Sequence, residues 1–360
     1  MAKLVVFPLT LVLLLGSLSY MLRPDNNNGK TRFMGFYSLP KNSLEVVVVG
    51  SSCVYRGWCA PYAYGKYGLV SYPLSSVAQF AVLIKYMIIE AMKYQDPKLF
   101  VVDLRQFRYD VDNDILSRDD SEALLRSAVD NMRYSANRID AIKSVGDIMM
   151  TDKSFTQTNE NDIIFDITKY KSNWLHIDPG AWRFSKDDPL RGYVFTTTTK
   201  NQHIDPQTGQ ITKSVPLSPS THKAFIDLLD FCKARNLQVL FTDTPYKITT
   251  NYQMLNNEMK AIIESYHYSG FKVFDGNAHY SQIGLDSATD FRDNLHLNLR
   301  GSLKYTSYLA NYIMTTYHLK DLRGDPAYKG WDASYQTWLK EEKTAAQAMG
   351  TLPGGMKSIA

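Results

Sequence analysis

The sequence predicts an α/β fold: a parallel sheet flanked by helices, with a helical insertion and an apolar helix at its N-terminus. Three observations carry this. Leu44-Glu45-Val46-Val47-Val48-Val49 sets four valines in a row, and β-branched side chains without polar alternation mark a strand buried on both faces. Segments of helical period then separate further apolar runs at Leu99–Leu104, Gln238–Thr242 and Phe271–Phe274, the rhythm of right-handed strand–helix–strand units. The valine strand ends in Gly50-Ser51-Ser52-Cys53, and in such sheets ligands sit beyond the carboxyl ends of the strands.

The chain divides accordingly. Residues 4–22 are uncharged and mostly apolar and follow Lys3, which predicts a membrane anchor over residues 1–22 with the remainder extracytoplasmic. Ser17-Leu18-Ser19 supplies small residues of the kind signal peptidase uses, so a secreted form is the alternative. Residues 23–43, with Pro24, three asparagines and Gly29, read as a linker. A domain is expected over 44–320. Its first strand covers about 44–49, and a Tyr- and Gly-rich loop, Tyr55–Gly68, follows. Leu69–Tyr72 reads as a short second strand that Pro73 ends. Ser75 or Ser76 caps a helix over Val77–Gln95, where Phe80, Leu83, Ile84, Met87, Ile88 and Ala91 recur at helical spacing. Asp96-Pro97 stops it, and the strand Leu99–Leu104 follows.

Residues 106–215 break the rhythm. They carry helical segments at 119–132, capped by Ser121, and at 135–150, then aromatic-rich Asp162–Trp182 and Thr-rich Phe195–Thr199. This insertion is expected to lie over the carboxyl edge of the sheet. The rhythm returns with a helix at Ser218–Asn236, the strand Gln238–Thr242, a helix at Asn251–Tyr268, the strand Phe271–Phe274 and a closing helix over 299–317. Residues 321–360 read as a polar tail containing Trp331, Trp338 and Pro353-Gly354-Gly355.

Hydrophobic residues make up 44% of the 360 and charged residues 21%, a globular composition. A formal charge of +4 over this length, without a basic block, argues against nucleic acid as a partner. Of the three cysteines, Cys53 and Cys59 lie six apart in the loop after the first strand. They are either a disulfide that stiffens the loop or two free thiols; Cys232 falls in a helix, as core. There is no His-Glu-x-x-His, Cys-x-x-Cys pair, P-loop or dinucleotide fingerprint, and no cofactor is expected.

The chemistry-bearing residues sit at opposite ends of the domain. A serine hydroxyl needs a base to take its proton and an acid to orient that base. Ser52 supplies the hydroxyl; Asp293-Asn294-Leu295-His296, just before the closing helix, supplies carboxylate and imidazole at turn spacing. Ser52 is thus the candidate nucleophile, His296 the base and Asp293 the orienter. Asp290 is a rival orienter, Cys53 a rival nucleophile, and a metal on Asp290, Asp293 and His296 a further reading of the same cluster. His176 and His203 fall in the insertion, and His222, His267 and His318 on helices. The serine lacks the Gly-x-Ser-x-Gly elbow, since position 54 is Val.

The Gly-Ser-Ser and Asp-x-x-His blocks resemble the first and last blocks of the SGNH, or GDSL-like, hydrolase superfamily. Ser52 matches the serine of its Gly-Asp-Ser, with Ser51 standing at the Asp. More narrowly the chain is similar to membrane-anchored SGNH-like proteins of Gram-positive bacteria. Their distant relatives include the D-alanyl transfer protein of teichoic-acid D-alanylation and the periplasmic alginate O-acetylation proteins. The similar stretches are Val48–Tyr55, Val101–Arg105, Asn131–Ala141, Tyr170–Trp174, Phe231–Tyr246 and Asp290–Thr306. The resemblance implies a flavodoxin-like three-layer sandwich and acyl chemistry on a cell-surface polysaccharide through an acyl-Ser52 intermediate. It also implies a membrane-bound O-acyltransferase as partner.

Two departures bear on the oxyanion. The Cys53 N–H is the natural first donor. But Ser75–Gln79 lacks the family's glycine, and no Gly-x-Asn-Asp follows Val101–Arg105. Ser76 and Arg105 are the remaining donor candidates. Lys171-Ser172-Asn173-Trp174 stands where relatives tend to have His-Ser-Arg-Trp, so Lys171 and Trp174 are candidate substrate contacts, with Tyr246 of Thr244-Pro245-Tyr246. The missing donors leave room for a second reading, a glycan-binding or scaffold subunit of low turnover.

Overall fold

The computed structural model describes residues 2–24, 29–109, 120–149, 163–165, 167–177 and 182–350. Its centre is an all-parallel sheet of five strands in the order β2-β1-β3-β4-β5. The strands are β1 (Val46–Gly50), β2 (Ser71–Ser75), β3 (Leu99–Asp103), β4 (Val239–Asp243) and β5 (Phe271–Asp275). Val46 to Val49 of β1 pair with Leu99 to Val102 of β3 and with Ser71 to Leu74 of β2. These valines are 0–3% exposed, so apolar side chains on both faces are what a doubly covered strand requires.

The helices follow as α1 (Ala2–Leu22), α2 (Gly29–Ser38), α3 (Ser52–Gly57), α4 (Ala60–Tyr67), α5 (Leu83–Met92), α6 (Ser121–Val129), α7 (Ala136–Met149), α8 (Ile167–Tyr170), α9 (Pro219–Ala234), α10 (Thr250–Ser265), α11 (Tyr280–Ile283), α12 (Leu299–Thr316) and α13 (Lys329–Ala348). The β1-to-β2 connection runs one way along the sheet; the connections from β2 onward run the other way. Right-handed crossovers therefore put α3 and α4 on one face and α5, α9 and α10 on the other. The reversal lies between β1 and β3, where a crevice opens beyond the strand ends.

Several expectations need correction. Pro73 sits inside β2 rather than ending it, opposite Val48; β2 is an edge strand, where a missing N–H is tolerated. The helix expected over Val77–Gln95 is shortened to α5, because Ala78 takes a left-handed φ of 40° and the segment before Leu83 turns. Neither Ser75 nor Ser76 caps it; the N-cap is Val82. Ser121 is the first residue of α6, after Asp120.

The linker reading of 23–43 gives way to α2, whose Phe33, Phe36 and Tyr37 are buried in the core. Tyr72 Oη donates to the Arg32 carbonyl at 2.7 Å, and Tyr37 Oη to Glu90 Oε1 at 2.8 Å. The polar tail gives way to α13, where Trp331 and Trp338 are 4% and 2% exposed and the helix packs on α4, with Tyr64 Oη donating to Asp332 Oδ1 at 2.8 Å. Asn26–Asn28, Asp162 and Pro353-Gly354-Gly355 lie outside the described residues.

The apolar run at the N-terminus folds as α1, whose described side chains begin at Val6. Among the described residues no helix is long and apolar enough to cross a membrane. From Val6 to Leu18 its large apolar side chains are 41–72% exposed. Its last turn is docked, with Ser19, Tyr20 and Leu22 buried.

The insertion does not lie wholly over the carboxyl edge. α7 packs on α5 at the flank of the sheet, while α8 and the 3-10 turn Lys171–His176 pack on α1. Among the described residues its last part reaches the crevice: Val194 N donates to the Tyr55 carbonyl at 2.9 Å and Lys200 N to that of Phe291 at 2.8 Å.

Candidate active site

Chain direction changes sharply after β1. Ser51 is extended (φ −115°, ψ −154°), and α3 starts at Ser52. Gly50 allows the turn: a Cβ there would stand 2.6 Å from Val54 Cγ2 and 2.9 Å from Asp103 Cβ, closer than side chains pack. Ser52 thus sits half-buried in the crevice between β1 and β3.

The opposing turn is pinned from several sides. Phe291 and Leu297 form an isolated antiparallel bridge, and Arg292 N donates to the His296 carbonyl at 2.9 Å. Asn298 caps α12, its Oδ1 accepting from Gly301 N at 3.2 Å and its Nδ2 donating to the Thr289 carbonyl at 2.7 Å. Inside the turn, Asp293 Oδ1 accepts from Leu295 N at 2.8 Å, His296 N at 2.9 Å and His296 Nδ1 at 2.8 Å. An ionised carboxylate only accepts, so Nδ1 carries the proton and Nε2 offers its lone pair. Ser52 Oγ lies 2.8 Å from that Nε2. Hydroxyl, imidazole and carboxylate therefore form a continuous chain, with the ring oriented for taking the serine proton.

The electrostatics suit a neutral base. Burial pushes the His296 imidazole below its ordinary value of 6.5; the Asp293 hydrogen bond pulls it back up, and the positive charges of Arg105 and Arg56 lower it. For Asp293, burial raises the carboxyl, but the hydrogen bond and charge of His296, with Leu295 N–H and Arg292, bring it down to about 2.

The rivals resolve through their contacts. Asp290 is fully buried and faces α12, pairing with Lys304 Nζ at 2.6 Å and Arg300 Nε at 3.6 Å. It orients no histidine and shares no metal-ligand cluster with Asp293 and His296 among the described residues. Cys53 points inward: its thiol donates to Asp103 Oδ1 at 3.3 Å, and burial pushes its pKa up to about 12, which makes it a poor nucleophile. Cys53 and Cys59 are buried free thiols, not a disulfide.

Two oxyanion candidates are otherwise engaged. Ser76 is fully buried and donates to Gln79 Oε1 at 3.2 Å. Arg105 acts as a clamp: Nη1 donates to the Leu295 carbonyl, next to the base, and Nη2 to the Thr244 carbonyl at 2.9 Å, at the end of β4. Only its Nε is buried without a partner. The Cys53 backbone N–H follows Ser52 directly and remains the first donor candidate.

The expected substrate contacts lie elsewhere. Tyr246 is 1% exposed, with the guanidinium carbons of Arg105 and Arg108 at 4.4 and 4.3 Å from its ring centre; it supports the clamp from beneath. Lys171 and Trp174 belong to the turn packed on α1, whose Asn173 Nδ2 donates to the Leu22 carbonyl at 2.9 Å. Among the described residues none of their hydrogen bonds reaches Ser52, Asp293 or His296. Of the insertion histidines, His203 is exposed, and the side chain of His176 lies outside the described residues.

Two further residues belong to the site. Asp103, at the end of β3, accepts from Thr244 N at 2.9 Å, Thr244 Oγ1 at 2.5 Å, Arg105 N at 3.1 Å and Cys53 Sγ at 3.3 Å. One buried carboxylate so ties the Ser52 loop to the ends of β3 and β4. Its sequence signal was an acid at the end of a buried strand. Arg56 stands four residues after Ser52, on the same side of α3, and donates through Nη1 to Thr196 Oγ1 at 2.8 Å. Only the helical state of that Tyr- and Gly-rich stretch reveals the pairing. A comparison with protein-family models finds no match for the chain, and a comparison with curated proteins finds none either.

Proposed function

We propose that the protein is an extracytoplasmic serine-dependent O-acyltransferase or esterase of the SGNH type. It acts on acyl groups, such as acetyl, of a cell-surface polysaccharide. The observation that carries this is the Ser52 Oγ–His296 Nε2 contact of 2.8 Å continued by His296 Nδ1–Asp293 Oδ1 at 2.8 Å. In the proposed cycle His296 takes the Ser52 proton as Oγ attacks the acyl carbonyl, and then returns it to the leaving oxygen. A sugar hydroxyl or water next attacks the acyl-serine, giving its proton to His296 and restoring Ser52. The resemblance of the Gly-Ser-Ser and Asp-x-x-His blocks, now met across one crevice, supports the same reading. So does the crevice's place at the reversal of strand order.

The exposed apolar surface of α1 favours lipid over water, which supports an anchor holding the domain at the outer membrane face. A membrane-bound O-acyltransferase is the proposed partner that would supply the acyl group there. A scaffold of low turnover is the second reading, favoured by Ser76 and Arg105 being committed to Gln79 and to two carbonyls.

The test is intact-mass analysis of the full chain after a serine-directed fluorophosphonate. One adduct is expected on the parent and none on Ser52→Ala or His296→Ala. Failure of the folded parent to react, with and without the membrane partner, refutes the enzyme and leaves the scaffold.

A further inference from the structure

Among the described residues of the insertion, the large apolar side chains most turned to solvent are Phe165 (61%), Trp174 (65%), Leu175 (66%), Trp182 (58%) and Phe184 (41%). They come from separate stretches of sequence, yet each lies on or next to a stretch that touches the last turns of α1. α8 and the turn Lys171–His176 pack on α1, and Asn173 bonds its final carbonyl. Phe165 lies two residues before α8 and accepts through its carbonyl from Thr168 Oγ1 at 3.0 Å. Phe184 stacks on Tyr20 with ring centres 4.6 Å apart, and Trp182 is two residues away. The apolar side chains thus gather where α1 meets the domain.

We infer that these residues form a collar that sinks into the interface of a lipid bilayer around α1. This rests on the anchored reading of the chain. Lipid is the occupant to expect for three reasons. The patch adjoins α1, whose exposed apolar residues Val6, Phe7, Leu9, Leu11, Val12 and Leu15 point around the whole helix at 100° steps rather than along one stripe. A protein groove covers one face of a helix, whereas acyl chains surround it. The collar is also rich in Trp and Phe, and Trp prefers the headgroup level. Finally, exposed Lys171 and Arg183 belong to the same stretches of chain, Arg183 with its guanidinium carbon 5.4 Å from the Trp182 ring centre, which suits anionic headgroups. Seating the collar fixes the domain's tilt on the membrane as well as its distance. Lys171 and Trp174, expected from sequence to touch substrate, thereby gain a different role.

Tryptophan fluorescence tests this directly. α1 contains no tryptophan, and Trp58, Trp331 and Trp338 are 1%, 4% and 2% exposed, so the accessible signal belongs to Trp174 and Trp182. The full chain is reconstituted in phosphatidylcholine–phosphatidylglycerol vesicles with brominated acyl chains, beside Trp174→Phe/Trp182→Phe. The collar predicts that the share of emission due to two of the five tryptophans is quenched by brominated lipid and shielded from aqueous iodide. The double variant should lose that share while unfolding at the parent's temperature. If the parent floats with the vesicles but these tryptophans stay open to iodide, the collar is refuted and the anchor stands. Shielding that arises only with a co-reconstituted membrane protein refutes the lipid occupant. A chain that does not float overturns both readings.

Discussion

Replacing Arg105 by Met tests how the two halves of the site are held together. The guanidinium donates to the Leu295 carbonyl on the base-bearing turn and to the Thr244 carbonyl on β4, while its plane rests against Tyr246. Methionine keeps much of the apolar contact and removes both donors. The Thr244 carbonyl is then left buried without its charged donor, at about 1.5–3 kcal/mol. The Leu295 carbonyl lies in a half-buried contact that water can replace in part, so it adds about 1 kcal/mol. The expected loss is therefore roughly 3 kcal/mol, read as a lower urea midpoint at unchanged slope. The freed turn should also misplace His296, lowering the fluorophosphonate rate by about tenfold or more, since small displacements of a catalytic group are costly. Because the Arg105 charge pushes His296 down, the acid limb of the rate should move to higher pH. Arg105→Lys, which restores charge but can reach one carbonyl at a time, should recover the limb and part of the stability. A methionine variant within about 1 kcal/mol of the parent, with unaltered rate and limb, refutes the clamp.

Asp293→Asn should keep the fold but lose the carboxylate that fixes the His296 tautomer, cutting the fluorophosphonate rate by roughly 10³-fold or more. Reactivity in the parent should rise with pH through an apparent pKa below 6.5, because burial lowers His296 and only the neutral ring accepts the serine proton; Arg56→Gln should shift that limb upward, as a rate–pH series would record. Native protein should resist iodoacetamide at pH 8 at all three cysteines, which are buried, and Cys53→Ala should still take the fluorophosphonate on Ser52, by intact mass. Asp103→Asn replaces one of two acceptor oxygens that serve four donors, and should cost about 2–4 kcal/mol in urea unfolding.

The strands and the trio were legible because their signals are local. Four valines announce a doubly covered strand, and Asp-x-x-His before a helix announces a carboxylate and imidazole within one turn. What the sequence hid depends on distant partners. The helical spacing of Phe33, Phe36 and Tyr37 was masked by the asparagines and glycine before it, and only Tyr72 and Glu90 explain its burial. Trp331 and Trp338 are seven apart, two turns of a helix, but their polar neighbours read as tail until α4 supplies the surface they cover. In the sequence Arg105 reads as an oxyanion donor and Tyr246, just past a strand, as a substrate contact. The structure turns both inward, since carbonyls of the facing strand and turn claim the guanidinium first. The departure of Ser75–Gln79 from the resembled family remains in view: Ser76 is spent on Gln79, and the loop turns through the left-handed Ala78.

The Ser52–His296 contact joins residues 244 apart in the chain. A growing or translocating polypeptide therefore displays its serine early but holds no base until nearly the whole domain has emerged. Closing so long a loop has an entropic cost that folding of the intervening sheet must overcome. The trio consequently reports on completion: a chain cut short before Asp293 retains Ser52 but neither the imidazole nor the carboxylate that face it. An unfinished chain thus carries the hydroxyl without its partner, and the contact forms only once both ends of the sheet domain are folded together.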